Sequence, residues 1–378
     1  MNNFSLVSFY ILILSSVLVS QKLRAQLNNE AFAEKLEMNS NQEKKLFLKL
    51  RNLNFLKNNE YFNPITSGQT FFGTFLMPSL VYYPNAKVRL EAGGFFWKDF
   101  GDDAFTRIAP IFRLTYQKDC TSVTFGNLVA HLNHQLIEPM YDFDNLIVQH
   151  LESGIQFKHH TTRFYVDLWV DWQNRIFRND DESEIIFGGL VTNYKFVYTP
   201  NFELIFPMQT TIQHQGGQDL TVNLPVRNAL NISSGLKFLW KFSPNSFLKS
   251  IRTEHYYVGY IENSSDDMLE SRNGLGYYGT INMDTKWFDM MVNLWLGNQF
   301  DSREGGELYR SYSVKTPGFI EDNRELLFLR ILKDVRLMPE LFMTFRFEPY
   351  YDFNNQLFEY SFGIYMHYQP SFLLKKFN

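Results

Sequence analysis

The sequence has little cysteine, no excess of basic residues and, beyond its N-terminus, no long apolar run. Its single cysteine, Cys120, excludes an intrachain disulfide and a cysteine-based zinc site. A net charge of −4 and a pI near 6.1 argue against a nucleic-acid partner, because phosphates are met by basic patches. Past Ala25, no segment approaches the about 18 apolar residues of a membrane helix. Any membrane crossing by the mature chain must therefore be made by strands.

The N-terminus has the pattern of a secretory signal peptide. An apolar core runs from Phe9 to Val19 and is followed by a polar stretch that ends at Ala25. This order predicts a signal peptide over 1–25, cleaved near its end. The segment before the core has no Lys or Arg, so a membrane anchor is the alternative interpretation.

Aromatic residues are abundant and spread along the whole chain. There are 38 Phe, 21 Tyr and 6 Trp, although the mean hydropathy is only −0.26. Over residues 163–173, Phe164 and Leu168 fall on one face of a strand, and Asp167 and Asp171 fall on the other. The same alternation recurs over residues 150–158, 230–242 and 358–368. Such strands are longer than the usual five or so residues and match a tilted membrane crossing, whereas a secreted β-sandwich or β-helix is the competing interpretation.

Short turns and long polar segments alternate along the chain, as periplasmic turns and external loops do in membrane barrels. Between Gln69 and Tyr368 we count fifteen strands, and closure into a bacterial barrel requires an even number. The missing strand is best placed within Lys44–Tyr61, next to the C-terminal strand. The sequence therefore predicts an all-β fold, a transmembrane antiparallel β-barrel of 16 strands. A helical interpretation of that segment leaves 14.

These features, together with the final strand Tyr360–Tyr368, resemble the porin-like outer-membrane β-barrels of Gram-negative bacteria. Ser361, Gly363 and Tyr368 match the pattern of a barrel-assembly signal, whereas Met366 replaces its first aromatic residue. The resemblance implies an outer-membrane location. We divide the chain into a signal peptide (1–25), a polar segment (26–58) that is periplasmic, a plug or the first strand, and a barrel (59–378).

Inward-facing charged residues are the candidates for lining a pore, because charges at a constriction select ions. The alternation predicts the following set: Lys87, Arg89, Arg107, Arg113, Arg163, Asp167, Asp171, Lys237, Arg346 and Glu348. The competing interpretation is that opposite charges pair across strands and fill the lumen. Inward Tyr165, Trp169 and Trp295 fit packing better than sugar binding.

The stretch 125–144 has the densest group of polar residues in the chain. A metal site or an acid/base pair can be drawn from five of them, which are His131, His134, Glu138, Asp142 and Asp144. The spacing matches no zinc motif, and His131 and His134 face opposite sides of a continued strand. We therefore favour a structured external loop, folded back as a constriction, and predict no metal or other cofactor.

The favoured function is a porin-like channel for passive passage of small hydrophilic solutes. One alternative is a non-conducting barrel that acts as a structural or assembly partner of an envelope complex, and another is a hydrophobic-solute channel with an N-terminal hatch. Catalysis by a surface hydrolase requires Ser, His and a carboxylate together near a rim, and no such group is close in sequence, so we predict no enzyme. The expected partners are outer-membrane lipid, small solutes and other envelope proteins.

Overall fold

A computed structural model describes residues 29, 31–34, 36, 38, 40–216, 225–264 and 272–378. The predicted signal peptide lies outside these residues. The strands are β1 (Lys45–Glu60), β2 (Thr70–Asn85), β3 (Val88–Asp99), β4 (Arg107–Lys118), β5 (Thr121–Asn127), β6 (Ser153–His160), β7 (Phe164–Asn174), β8 (Glu184–Tyr198), β9 (Phe202–Gly216), β10 (Arg227–Lys241), β11 (Leu248–Ser264), β12 (Arg272–Thr285), β13 (Asp289–Asn298), β14 (Asn323–Met338), β15 (Leu341–Asp352), β16 (Leu357–Tyr368) and β17 (Ser371–Lys376). Helical elements among these residues are one short helix, α1 (Asn145–Val148), and the 3₁₀ turns Ser40–Gln42, His131–His134 and Glu307–Tyr309. None of the described helices has the length and apolar character needed to cross a bilayer.

The strands form one closed antiparallel barrel. Each strand from β1 to β16 pairs with the next, and β1 closes the barrel against β16 from Asn52↔Tyr368 to Glu60↔Tyr360. β17 continues beyond β16 and pairs with the start of β1. The predicted barrel of 16 strands is confirmed, and its first strand comes from the segment Lys44–Tyr61. The barrel wall therefore begins at Lys45, within the polar segment that we predicted over residues 26–58.

The faces of the strands follow the predicted alternation. On β7, Asp167, Trp169 and Asp171 are buried inside the barrel, whereas Leu168 and Trp172 are each 49% exposed on its outer surface. Outward aromatic and aliphatic side chains of this kind recur on nearly every strand, and they form the surface that meets lipid.

One long connection, between β5 and β6, folds into the lumen, and we call residues 128–152 the plug loop. It departs from the wall at Gly126, whose φ of +95° is rarely adopted by residues with a side chain. A Cβ at Gly126 would also lie 2.2 Å from the Phe112 carbonyl oxygen. The Asn127 side chain accepts a hydrogen bond from the Phe112 amide at 2.8 Å, which takes the place of a strand-to-strand bond as the chain turns inward.

A second external connection, residues 299–322, packs onto the plug loop and is called the cover loop. The Asp142 amide donates to the Glu304 carbonyl at 2.7 Å, and the Gly306 amide donates to the Glu138 carbonyl at 2.9 Å. Apolar side chains of both loops, Ile137 and Met140 among them, join those of the wall in a core inside the barrel.

Of the described N-terminal residues, Asn29, Phe32 and Glu34 also lie inside the barrel. Phe32 packs edge-on against Phe143 of the plug loop and Tyr365 of the wall. Arg346 donates to the Asn29 side chain at 2.8 Å. The lumen is thus occupied by the plug loop, the cover loop and the chain near residue 32.

Candidate functional site

Among the cavities that the described residues enclose, two flank the plug loop, one on each side. The outer cavity, of about 320 Å³, is bounded by the plug loop, the cover loop, and the external ends of β1 and β14 to β16. The inner cavity, of about 80 Å³, lies toward the periplasmic end and is lined by Glu34, Arg113, His131 and His367 among others. The outer cavity has the size of a small-ligand site and a largely polar lining.

The outer cavity contains two carboxyl groups that titrate near neutrality. Burial and the neighbouring charge of Asp144 raise the pKa of Asp142 to about 8, although Lys57 opposes this. Burial also raises the pKa of Glu304 to about 7, and the charge of Glu152 adds to this shift. Such values suit groups that give and take protons at physiological pH.

Neutral amides hold Glu304 in place. Gln173 and Gln213 on the wall each donate to its Oε1 at 3.0 Å, and Asn145 of α1 donates to its main-chain carbonyl at 3.1 Å. Within the described chain Glu304 forms no ion pair, so no cation offsets its burial.

Cations and a second pair of carboxylates surround these two groups. Lys57 of β1 pairs with Asp144, and Arg330 of β14 pairs with Glu138. Tyr309 of the cover loop donates to Glu138 Oε2 at 2.8 Å. Arg303 and Arg310 of the cover loop line the same cavity. Arg303 and Arg310 are also paired with carboxylates, Glu262 and Asp301 respectively, each at 2.5 Å. The arrangement combines proton-transfer groups with cations whose remaining N–H groups can donate to a developing oxyanion.

The predicted loop candidates separate into two groups. Glu138, Asp142 and Asp144 line the outer cavity, whereas His131 and His134 lie deeper, in a buried network. His134 Nε2 is 2.9 Å from Glu152 Oε2, and its Nδ1 is 3.0 Å from Asp167 Oδ2.

The two histidines of this network have opposite pKa shifts. Burial alone would lower the pKa of His134, but Glu152 and Asp167 raise it to about 9. Burial lowers the pKa of His131, whose Nε2 lies 2.6 Å from the His150 carbonyl oxygen. Both rings are fully partnered, so they position the plug loop. No three His, Cys, Asp or Glu side chains of the described residues are arranged to hold a metal ion.

The predicted pore-lining residues are divided between the interior and the two ends of the barrel. Buried inside are Arg89, Arg113, Asp167, Asp171, Lys237, Arg346 and Glu348. Lys87, Arg107 and Arg163 are exposed instead, because they lie in turns or at the end of a strand and not within the lumen.

Opposite charges neutralise several buried members of this set. Arg89 pairs with Glu91 at 2.8 Å, and Arg346 pairs with Glu348 at 2.6 Å. Arg113 donates to Glu34 Oε2 at 2.9 Å. Arg89 and Arg113 therefore belong to a mixed network, in which Glu34 and Glu91 supply the negative charge.

Sequence reasoning missed Glu304 as a member of the site. It lies in a loop that the sequence marks only as long and polar. The one local signal is the pair Gly305-Gly306, which permits a close approach of two chains. A Cβ at Gly305 would lie 2.0 Å from the Pro139 carbonyl oxygen of the plug loop.

A family model described as lipid A 3'-O-deacylase-type matches residues 38–377, which is nearly the whole described chain. The chain belongs to this family. No curated protein matches the chain. The prediction that the protein is not an enzyme was therefore wrong, since the family is one of enzymes. The prediction relied on residues that are close together in the sequence, whereas the polar residues of the outer cavity come from loops that are far apart in the chain.

Solved outer-membrane barrels share the architecture. The outer-membrane protein OpdK from Pseudomonas aeruginosa is 9% identical, with 87% of this chain and 100% of that chain covered at a TM-score of 0.51. OprD from the same organism is 10% identical, with coverage of 91% and 98% and a TM-score of 0.45. An anion-selective porin from Comamonas acidovorans is 8% identical, with coverage of 86% and 98% and a TM-score of 0.48. The predicted resemblance to porin-like outer-membrane barrels is confirmed at the level of fold.

Proposed function

We propose that this deacylase-type barrel hydrolyses an acyl ester of a lipid A-like glycolipid, and that the outer cavity is its active site. The observation that carries the proposal is the family match over residues 38–377. The packed lumen supports it, because the plug and cover loops occupy the space that a wide pore would need. The external position of the cavity is suited to a lipid of the outer leaflet.

In this proposal Glu304 and Asp142 divide the proton transfers. Ionised Glu304 accepts a proton from a water molecule that attacks the ester carbonyl carbon. Protonated Asp142 then donates to the departing sugar oxygen, so that the ester bond breaks to give a free fatty acid and an alcohol. Arg303 and Arg310 stabilise the negative charge of the tetrahedral intermediate.

The test is acyl release from purified full-length protein in micelles containing lipid A, followed by mass spectrometry of lipid and fatty acid. Asp142→Asn and Glu304→Gln should each lower the rate by about 10²-fold or more, as removal of a general acid or base does. The matched control is Asp181→Asn on an exposed external loop, which should leave the rate unchanged. No acyl release by the unaltered protein would overturn the function. Full activity in both site variants would overturn the assignment of the site.

The proposed roles also fix the pH dependence. The base must be ionised, so the rate should rise as pH passes the Glu304 pKa of about 7. The acid must be protonated, so the rate should fall as pH passes the Asp142 pKa of about 8. A rate maximum between these values is expected, and Asp142→Asn should remove the alkaline limb from its residual activity.

A second candidate function is the narrow passage of small hydrophilic solutes. It is favoured by the presence of cavities on both sides of the plug loop, of which the outer one is mainly polar and the inner one is lined by both polar and apolar side chains. Discrete conductance steps of pure protein in planar bilayers are expected, and replacement of residues 129–151 by a short Gly-Ser linker should enlarge them. Shortening the exposed loop 176–182 is the control. No steps from either the intact or the shortened plug loop would eliminate this candidate.

A further inference from the structure

The two ends of the barrel differ in charge. At the end with the short turns, ten cationic side chains are exposed against three acidic ones, Glu43, Asp119 and Glu340. We call these cations the basic rim: Lys44, Lys87, Lys118, Arg163, Lys249, Lys286, Lys333, Arg336, Lys375 and Lys376. At the external end, the exposed charges of the described residues are Asp102, Asp103, Asp181, Glu182, Glu307, Asp322 and Glu325 against Arg107, Arg175, Arg178 and Lys315. The whole chain has a net charge of −4, so the excess of cations at the basic rim is opposite in sign to the charge of the molecule.

The cations of the basic rim are free to meet a ligand. Ion pairs between described residues use buried or half-buried cations and none of the basic rim. Some of these cations contact neighbouring main chain or rings: Lys333 donates a hydrogen bond to the Trp287 carbonyl, and the Lys375 ammonium lies over the Phe377 ring. Their charge is otherwise uncompensated by protein.

The same turns carry aromatic side chains that mark the membrane interface. Trp287 is 62% exposed and Phe247 is 51% exposed, and their ring centroids are 5.3 Å apart. The Lys286 amide donates to the Phe247 carbonyl at 2.8 Å, so this cation and this aromatic residue lie at the same height along the barrel axis. Aromatic residues in membrane proteins concentrate at the depth of the lipid headgroups.

We propose that the basic rim binds the anionic headgroups of phospholipids in the periplasmic leaflet. The cations occur roughly one to a turn around the barrel, each beside the lipid-facing wall. This distribution fits many lipids of single negative charge better than one polyanion in a concave site. Cations at a membrane surface each attract anionic lipid by about 1 kcal/mol, which is about fivefold in a binding constant.

The test compares two charge-neutralised proteins in mixed micelles of phosphatidylglycerol and phosphatidylcholine, with retained lipids counted by native mass spectrometry. The rim variant combines Lys87→Gln, Lys118→Gln, Lys249→Gln and Lys286→Gln. The matched control combines Arg107→Gln, Arg175→Gln, Arg178→Gln and Lys315→Gln at the external end. All eight positions are exposed, so both proteins should fold.

The unaltered protein and the control should retain phosphatidylglycerol in preference to phosphatidylcholine. The rim variant should lose this preference, by about fivefold for each cation that contacts lipid. High salt should weaken the preference of the unaltered protein, since the contacts are exposed. Equal retention of both lipids by the unaltered protein would overturn the proposal. An unchanged preference in the rim variant, accompanied by weaker binding to isolated cell-wall sacculi, would overturn it in favour of a wall partner.

Discussion

Arg113 illustrates how single buried charges hold the interior together. Its guanidinium donates to Glu34 and also to the carbonyl oxygens of Asn127 and Leu128, at 2.6 and 2.7 Å. It therefore joins the N-terminal segment, the wall and the first residues of the plug loop.

Replacing Arg113 should be strongly destabilising. We expect Arg113→Ala to lower the free energy of unfolding by about 3 kcal/mol, because it removes the donor to two buried carbonyl oxygens and one of the cations paired with Glu34 and Glu91. Urea titration measures the change, with the folded fraction at each urea concentration read from the heat-dependent gel mobility of the barrel. Arg107→Ala, on the same strand but exposed, is the control and should stay within about 0.5 kcal/mol. Equal effects of the two substitutions would contradict the role given to Arg113.

His134 should make stability depend on pH. Its pKa is raised from 6.5 to about 9, so the protonated ring stabilises the fold fully below about pH 6.5, and this contribution is lost as pH rises to about 9. The loss should approach 3 kcal/mol, at about 1.4 kcal/mol per pKa unit. Urea unfolding of the unaltered protein and of His134→Gln between pH 6 and 9.5 measures it. The difference between the two should shrink with rising pH, and parallel curves would argue against a charged His134.

At the scale of elements, the seam between β1 and β16 closes the wall. Asn54 faces Met366 across this seam, and both side chains point outward. In a Cys120→Ser background, the pair Asn54→Cys and Met366→Cys should form a disulfide on oxidation.

The control for the seam is the diagonal pair Asn54→Cys and Ile364→Cys. Ile364 faces Leu56, so its diagonal distance to residue 54 is about 7–8 Å, beyond the usual reach of a disulfide. Gel mobility of the unfolded, unreduced chain distinguishes linked from unlinked protein. Preferential linkage of the diagonal pair would show a seam shifted by two residues.

The sequence predicted the elements better than it predicted their contacts. The lumen face of β7 followed from the two-residue period of Asp167, Trp169 and Asp171, and the need for an even strand count located β1. Neither argument reaches the partners of a loop. That Glu304 meets the plug loop, or that Glu34 meets Arg113, depends on where chains far apart in sequence fold inside the lumen. Strand periodicity also does not show where a strand ends, which is why Lys87, Arg107 and Arg163 were drawn inside.

At the scale of the molecule, the barrel differs from a water-soluble protein because its outer surface carries an apolar belt. Its interior packs both polar and apolar side chains. The many aromatic residues fit this geometry, because rings serve the outer surface and the lumen alike. Phe164 and Leu168 are both outward residues of β7, at its periplasmic end and at mid-height respectively.

Depth in the membrane should therefore govern the cost of a charge. Leu168→Arg should destabilise the barrel by about 2–4 kcal/mol, and Phe164→Arg by about 1 kcal/mol or less, since the penalty falls toward the interface. Unfolding in lipid vesicles, followed by tryptophan fluorescence, measures both values. A larger penalty at Phe164 would mean that the belt lies closer to the periplasmic end than the wall geometry indicates.

The wall is not equally tall on all sides. β5 and β6 have 7 and 8 residues, whereas β1 and β2 have 16 each. Seven residues extend about 23 Å along a strand, and a tilt near 45° reduces this to about 16 Å of height, against an apolar belt of about 25 Å in typical barrels. Such a mismatch is relieved by local thinning of the bilayer. We expect the headgroups of outer-leaflet lipids to lie closer to the bilayer centre beside β5 and β6, where the chain enters the lumen. The membrane should therefore be thinnest along this side of the barrel.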